Sequence, residues 1–174
     1  MQWLFDTSIA IRDFMELGGP VLNVIAVVIF WMWVLIIERI IYFRAGHGRQ
    51  VAVEQAVWQQ RDERRSWHAR QARAGMVSRL AEAANASIPM IKTLVALCPL
   101  LGLVGTVTGM IDVFDVLALS GTGNARSMAA GVSKATIPTM AGMVGALSGV
   151  FAAALLSRSA GRAVTNLDDV FVTD

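Results

Sequence analysis

A chain of 174 residues with 55% of them apolar, 16% charged and a mean hydropathy of +0.56 is too apolar for an ordinary water-soluble domain, in which charged residues make up ~25%. The net charge of +2 does not point to nucleic acid, because the basic residues lie almost wholly between two apolar runs, where membrane topology puts them. The single cysteine, Cys98, sits inside an apolar run, which excludes a disulfide framework and a CxxC metal site.

In chain order, residues 1–19 carry Asp6, Asp13 and Glu16 but only Arg12, so they lack the basic n-region of a signal peptide and are read as retained. Leu4, Ile11 and Met15 fall near one helical face and the two aspartates away from it, which predicts a short interfacial helix. No charge occurs from Pro20 to Ile37, and the run is dense in Val, Ile, Phe and Trp. About 20 such residues span a ~30 Å hydrocarbon core, so 20–43 is the first transmembrane helix. Glu38, Arg39, Tyr42 and Arg44 mark its far end.

Residues 44–92 form a basic loop rich in Ala, Gln, Glu and Arg with no proline before Pro89, which predicts one or two helices bent at Gly75. Its apolar residues (Val53, Val57, Trp58, Trp67, Val77 and Leu80) are too sparse for an independent core. These helices are therefore expected to extend the membrane helices and to pack on neighbouring copies. His47 and His68 read as ordinary solvated side chains.

A second uncharged run, Thr93 to Ile111, makes 93–115 the second span; 116–134 is a loop and helix start; a third run, Ala135 to Ser157, makes 135–157 the third span. Residues 158–174 are a tail. The loop from Arg44 to Lys92 also holds Arg49, Arg61, Arg64, Arg65, Arg70, Arg73 and Arg79, whereas 112–134 offers only Arg126 and Lys134. By the positive-inside rule the first loop and the tail are cytoplasmic and the N-terminus lies outside. The arginines Arg39, Arg44, Arg61, Arg64 and Arg65 read first as this topology signal and second as contacts for anionic phospholipid or a partner. The fold class is an all-α membrane protein with three transmembrane helices, helical cytoplasmic extensions and a short N-terminal interfacial helix.

The second and third spans differ from the first in their small residues. Gly102, Gly105, Thr106 and Gly109 recur every three or four positions, as do Gly142, Gly145, Ala146 and Gly149. Lipid gives helices no hydrophobic reason to associate, so small-xxx-small faces mean close helix contact. Helix packing alone accounts for them; a pore wall is the competing reading. Thr106 lies six residues inside Asp112 and Thr139 five inside Lys134, roughly 9 Å and 7.5 Å deep at 1.5 Å per residue, so the two hydroxyls are expected at about one level. Ser148 is a third hydroxyl. Each has the alternative of bonding back to its own helix. Pro99 and Pro138 are candidate helix breaks, and Thr139 is placed to satisfy a carbonyl that Pro138 frees.

Neither uncharged run, Thr93 to Ile111 or Ala135 to Ser157, contains Asp, Glu, His, Lys or Arg. Membrane proton relays use ionisable side chains, so any proton crossing here needs a titrating group from another polypeptide. The same absence excludes an intramembrane enzyme, for which no nucleophile, acid pair or metal-ligand set lies at depth.

The string Pro99-Leu-Leu-Gly-Leu-Val-Gly-Thr-Val-Thr-Gly-Met-Ile111 followed by Phe114 resembles the second transmembrane helix of the MotA/TolQ/ExbB proton channel family, which carries P-x-L-G-L-x-G-T-V-x-G-[IM]. The stretch Gly131-Val-Ser-Lys-Ala-Thr-Ile-Pro-Thr-Met-Ala-Gly-Met-Val-Gly-Ala146 is similar to the family's third-helix pattern G-I-x-x-A-L-x-x-T-x-x-G-L. The resemblance is nearest to ExbB, in the compact form found in TonB systems. It implies an inner-membrane homopentamer around an ExbD-like single-span partner carrying a membrane aspartate, with work passed to a TonB-like transducer that energises outer-membrane transport. No cofactor, metal or nucleic acid is implied. Thr106 and Thr139 match the family's pore threonines, and Gly102, Gly109, Gly142, Ala146 and Ser148 lie on the same faces. Lys134 stands where many relatives have a glutamate, and the basic loop is shorter than in the longest members. A TolQ-type subunit of the Tol-Pal envelope system and a non-conducting scaffold are the alternatives.

Overall fold

A computed structural model describes the backbone of residues 2–60, 66–120 and 125–170; side-chain surroundings are described for 14–15, 18–46, 48–60, 66–118, 128–129 and 131–167. All regular elements among the described residues are helical: α1 (Gln2–Ile41), a π-helical turn (Tyr42–Gly46), α2 (His47–Gln59), α3 (Trp67–Asn85), α4 (Ile88–Ser120) and α5 (Ala125–Val170). Three helical stretches, Gly18–Gly46, Trp67–Ala118 and Gly131–Leu167, are long and apolar enough to cross a membrane, with mean hydropathies of 2.6, 2.1 and 1.8 in their most apolar windows. The all-α, three-span architecture is that of the sequence reading.

The helix breaks fall elsewhere than expected. Helix α1 is interrupted at Gly19, whose φ of 66° and ψ of −167° are open to glycine and strained for any residue with a Cβ. Pro20 follows directly and starts the apolar segment, a first-turn position where its missing N–H costs nothing. Pro99 and Pro138, by contrast, lie inside α4 and α5, which continue through them. They are not helix breaks: one lost backbone bond in a long helix leaves the remaining ladder to carry the axis through. Gly75 does not interrupt α3 either, which is continuous from Trp67 to Asn85. Ser66 caps that helix, its hydroxyl accepting from the Ala69 amide at 3.2 Å.

A methyl group at Gly75 would meet nothing within 4 Å. Gly75→Ala is therefore expected to stabilise α3 by about 0.5–1 kcal/mol through reduced unfolded-state entropy, read as a rise in thermal midpoint; a fall in the midpoint would show a hidden contact.

The chain divides into two compact units, Met1–Met32 with Thr93–Val150, and Trp33–Lys92 with Phe151–Asp174. In the first, three helices meet along small residues. Gly102 lies against Thr139, Gly105 against Pro138 and Gly109 against Ala135, so α4 and α5 run antiparallel. Gly145 touches Ile29 and Gly149 touches Met32, so α1 and α5 run parallel. That up-down-up order is what three successive crossings require. Outward-facing positions of this unit are large and apolar, including Phe30, Trp31, Leu103, Val107, Met140, Val144 and Leu147. Such a surface suits lipid or another apolar helix and not water.

The second unit has a small core of its own, contrary to the expectation that its apolar residues are too sparse. Trp58 of α2, Ala69, Met76 and Leu80 of α3 and Leu167 of α5 cluster, with Val51 and Val77 packed on them. Each large apolar side chain so buried contributes ~1.5–3 kcal/mol. Val53, Val57 and Trp67 remain exposed, in line with that expectation. An Arg79–Glu54 ion pair at 3.7 Å adds a weak link between α3 and α2.

Candidate functional site

The seam between α4 and α5 in the first unit holds the residues singled out by sequence. Its closeness follows from the absence of side chains. A Cβ on Gly102 would stand 2.9 Å from Thr139 Cα and 3.2 Å from the Pro138 carbonyl oxygen, and one on Gly142 only 2.5 Å from the Cys98 carbonyl oxygen. The two backbones touch, as small-residue membrane interfaces allow. Gly102, Gly142 and Ala146 are buried in the chain's own helix contacts and Gly109 is half-buried. Helix packing is thus realised within one chain, and any lumen of a ring would be lined from the outer edges of this seam.

The hydroxyls have distinct fates. Thr139 Oγ1 donates across the seam to the Gly102 carbonyl at 2.7 Å. It therefore staples α5 to α4 and does not serve the carbonyl freed by Pro138. Thr106 Oγ1 donates to the Leu103 carbonyl of its own helix at 2.7 Å and is half-exposed. Ser148 Oγ donates to the Gly145 carbonyl at 2.8 Å. Each of these oxygens retains lone pairs that can accept from water or from a protonated acid.

The register also corrects the expected depth. Thr139 is level with Gly102, four residues from Thr106, so the two threonines are offset by roughly 6 Å along the helix axis. Counting inward from the charged ends gave a common depth because it ignores how the helices slide past each other. Thr136 falls between the Gly105–Pro138 and Gly109–Ala135 contacts, at the height of Thr106. Thr108 and Thr136 are exposed hydroxyls that sequence reading passed over. The first donates to the Val104 and Gly105 carbonyls at 3.1 Å each, and the second to the Ser133 carbonyl at 2.8 Å. The available signals were the repeat Thr106-Val-Thr108 and the i, i+3 spacing of Thr136 and Thr139.

Thr93 to Ile111 and Ala135 to Ser157 contain no ionisable side chain other than Cys98. Cys98 is buried and donates to the Leu94 carbonyl at 3.3 Å. No group of three or more His, Cys, Asp or Glu suited to a metal occurs among the described residues. Lys134, Asp112 and Asp115 are exposed near the ends of the spans. The seam therefore offers hydroxyls and carbonyls but no proton carrier.

Among the basic residues, Arg39 is not a surface contact for lipid or partner: it is only 3% exposed. Its Nη2 donates to the Ala83 carbonyl of α3, and its guanidinium lies 4.6 Å from the Tyr42 ring centre and 5.6 Å from that of Phe43. The π-helical turn that follows α1 carries both aromatic rings and so builds this pocket for the cation. Tyr42 in turn donates to Gln50 Oε1 at 2.7 Å. Arg44 is exposed, as expected. Arg61, Arg64 and Arg65 lie outside the described residues.

The sequence profile of the MotA/TolQ/ExbB proton channel family matches residues 42–169. The ExbB-like 1 protein of Synechocystis, named for biopolymer transport, is 46% identical over 61 residues, covering 33% of this chain and 24% of the relative. The ExbB-like 3 protein of the same organism is 33% identical over 78 residues, covering 40% of this chain and 37% of the relative. These matches span well under half the length of either relative. The family match takes in α2 to α5 almost completely, including both small-residue spans and the seam between them. The chain belongs to the MotA/TolQ/ExbB proton channel family.

Proposed function

We propose that this chain is the channel-forming stator subunit of an ExbB–ExbD-type motor of the bacterial inner membrane. In that role it takes energy from proton flow and passes it to a TonB-like transducer for transport across the outer membrane. The observation that carries the reading is the α4–α5 seam: two membrane helices in backbone contact, edged with threonine hydroxyls and empty of titratable relay groups. Five copies with these edges turned inward surround the single-span partner, whose membrane aspartate carries the proton.

Thr106 and Thr139 polarise that carboxyl and the water beside it, and Thr136, at the height of Thr106, extends the polar edge. Gly102, Gly109, Gly142 and Ala146 serve the pore by letting α4 and α5 close into a wall without gaps. Sealing matters because an elementary charge crossing 100 mV releases only ~2.3 kcal/mol, which ion leak would dissipate. The arginine-rich loop and the C-terminus lie in the cytoplasm and the N-terminus in the periplasm.

Reconstitution into liposomes with its aspartate-bearing partner tests the proposal. Acidification of the lumen that requires both proteins and the partner's aspartate is expected. A membrane scaffold gives no partner-dependent flux, and that result would remove the channel reading.

A further inference from the structure

We infer that a groove in the second unit binds one anionic phospholipid by its headgroup. The groove encloses about 570 Å³ between the π-helical turn with α2 on one side and the end of α5 on the other, a volume in the range of small-ligand sites. Phe43, Val51 and Leu167 form its apolar wall, while Gln55, Arg162 and Asn166 supply polar groups. No carboxylate lines it among the described residues. Among the described residues the Arg162 guanidinium makes one long contact, Nε to the Arg158 carbonyl at 3.5 Å, and no ion pair. An exposed fork of donors with spare N–H groups above an apolar floor matches a phosphodiester attached to a glycerol backbone.

Placement selects a lipid as the source of that phosphate. Phe43 is the last residue of the first span, and Ser159, another wall residue, immediately follows Arg158, which closes the third uncharged run. The groove therefore opens where two membrane helices leave the hydrocarbon, the depth of phospholipid headgroups. Arg158 and Arg44, both exposed, stand one turn before Arg162 and next to Phe43 in sequence, and they raise the local preference for anions. A zwitterionic lipid would gain the apolar wall but less from these charges. The inference needs the chain to be in a membrane and does not need it to conduct, so its failure leaves the channel proposal standing.

Native mass spectrometry of the full chain, in the oligomer extracted from membranes, provides the test. It is titrated in turn with dioleoyl phosphatidylglycerol, dioleoyl phosphatidylcholine and glycerol phosphate. Retention of phosphatidylglycerol over phosphatidylcholine is expected, with glycerol phosphate not retained. Arg162→Gln should lower phosphatidylglycerol affinity about fivefold, the effect of one basic residue at an anionic surface, and leave phosphatidylcholine unchanged. Ala163→Trp, which fills the groove, should lower both lipids, and Ala52→Leu replaces it should the tryptophan variant not fold. Arg79→Gln removes a charge held by Glu54 and should change nothing. Undiminished phosphatidylglycerol binding in both Arg162→Gln and the filled variant would overturn the inference. So would equal retention of glycerol phosphate, which marks a free-phosphate site, or a changed oligomer mass without lipid loss in the filled variant, which marks a subunit interface.

Discussion

Replacing Thr106 and Thr139 together by valine is expected to lower partner-dependent proton flux at least about tenfold while the oligomer still assembles. Valine keeps the branched shape and removes only the hydroxyl, so the seam stays filled. The structural cost is one interhelical hydrogen bond, Thr139 to the Gly102 carbonyl at 2.7 Å. In membranes such a bond contributes about 0.6 kcal/mol on average, too little to undo a three-helix contact. The Thr106 bond stays within its own helix and contributes little to association. In the proposed channel the functional cost is larger, because Thr108 and Thr136 are the other hydroxyls near those heights that could stabilise a charged or protonating carboxyl. A loss of about 1.4 kcal/mol at the barrier corresponds to the tenfold fall. Liposome acidification rates alongside the mass of the detergent-extracted complex check both halves of the statement. Undiminished flux in an intact complex would exclude these hydroxyls from the proton path.

Gly142→Ala is expected to be the most damaging glycine-to-alanine change among the described residues. The new Cβ would lie 2.5 Å from the Cys98 carbonyl oxygen and 3.3 Å from Gly102 Cα, where the opposing atoms are backbone and cannot rotate away. Helices α4 and α5 must separate, which breaks the adjoining Gly102–Thr139 contact as well. Overpacking of this kind costs about 1–3 kcal/mol, and Gly142→Leu should prevent accumulation of the folded protein. Gly161→Ala is the matched control, because a Cβ there meets nothing within 4 Å. Thermal midpoints and membrane yields of the pair measure the contrast; equal values would mean that the seam is looser than the geometry states.

The two glycine cases show how far local pattern reaches. Gly19 and Gly75 both interrupt helical sequence, yet only Gly19 breaks its helix. The difference is legible in part: Pro20 follows Gly19 and disfavours helical backbone in the residue before it, whereas Gly75 sits among Ala, Arg and Met that favour helix. Pro99 and Pro138 invite the opposite mistake. A proline's lost hydrogen bond is visible in sequence, but whether the helix carries on past it depends on neighbours that sequence does not place.

Arg39 and Trp58 differ from the sequence reading for a related reason. Their neighbours in the chain make Arg39 an end marker and Trp58 one of a few scattered apolar groups. Arg39 is buried by a carbonyl 44 residues away and by two rings that a π-helical turn swings over it. Trp58 is covered by α3 and by Leu167 near the end of α5. Such contacts leave no local periodicity to find.

What the amino-acid order determined without help is the set of properties that act residue by residue. Three uncharged runs long enough to cross a bilayer stand out because desolvating charge is costly, and the basic residues gather in one loop as the positive-inside bias of membrane topology requires. The spans without relay groups, and the small-residue faces that demand close contact, are read equally directly. The tertiary structure alone decided which backbone each glycine meets, that Thr139 bonds across the seam while Thr106 bonds to its own helix, and that the two sit a turn apart. These depend on how far one helix slides along another, and that offset is set by the joint packing of all three helices, not by spacing along any one of them.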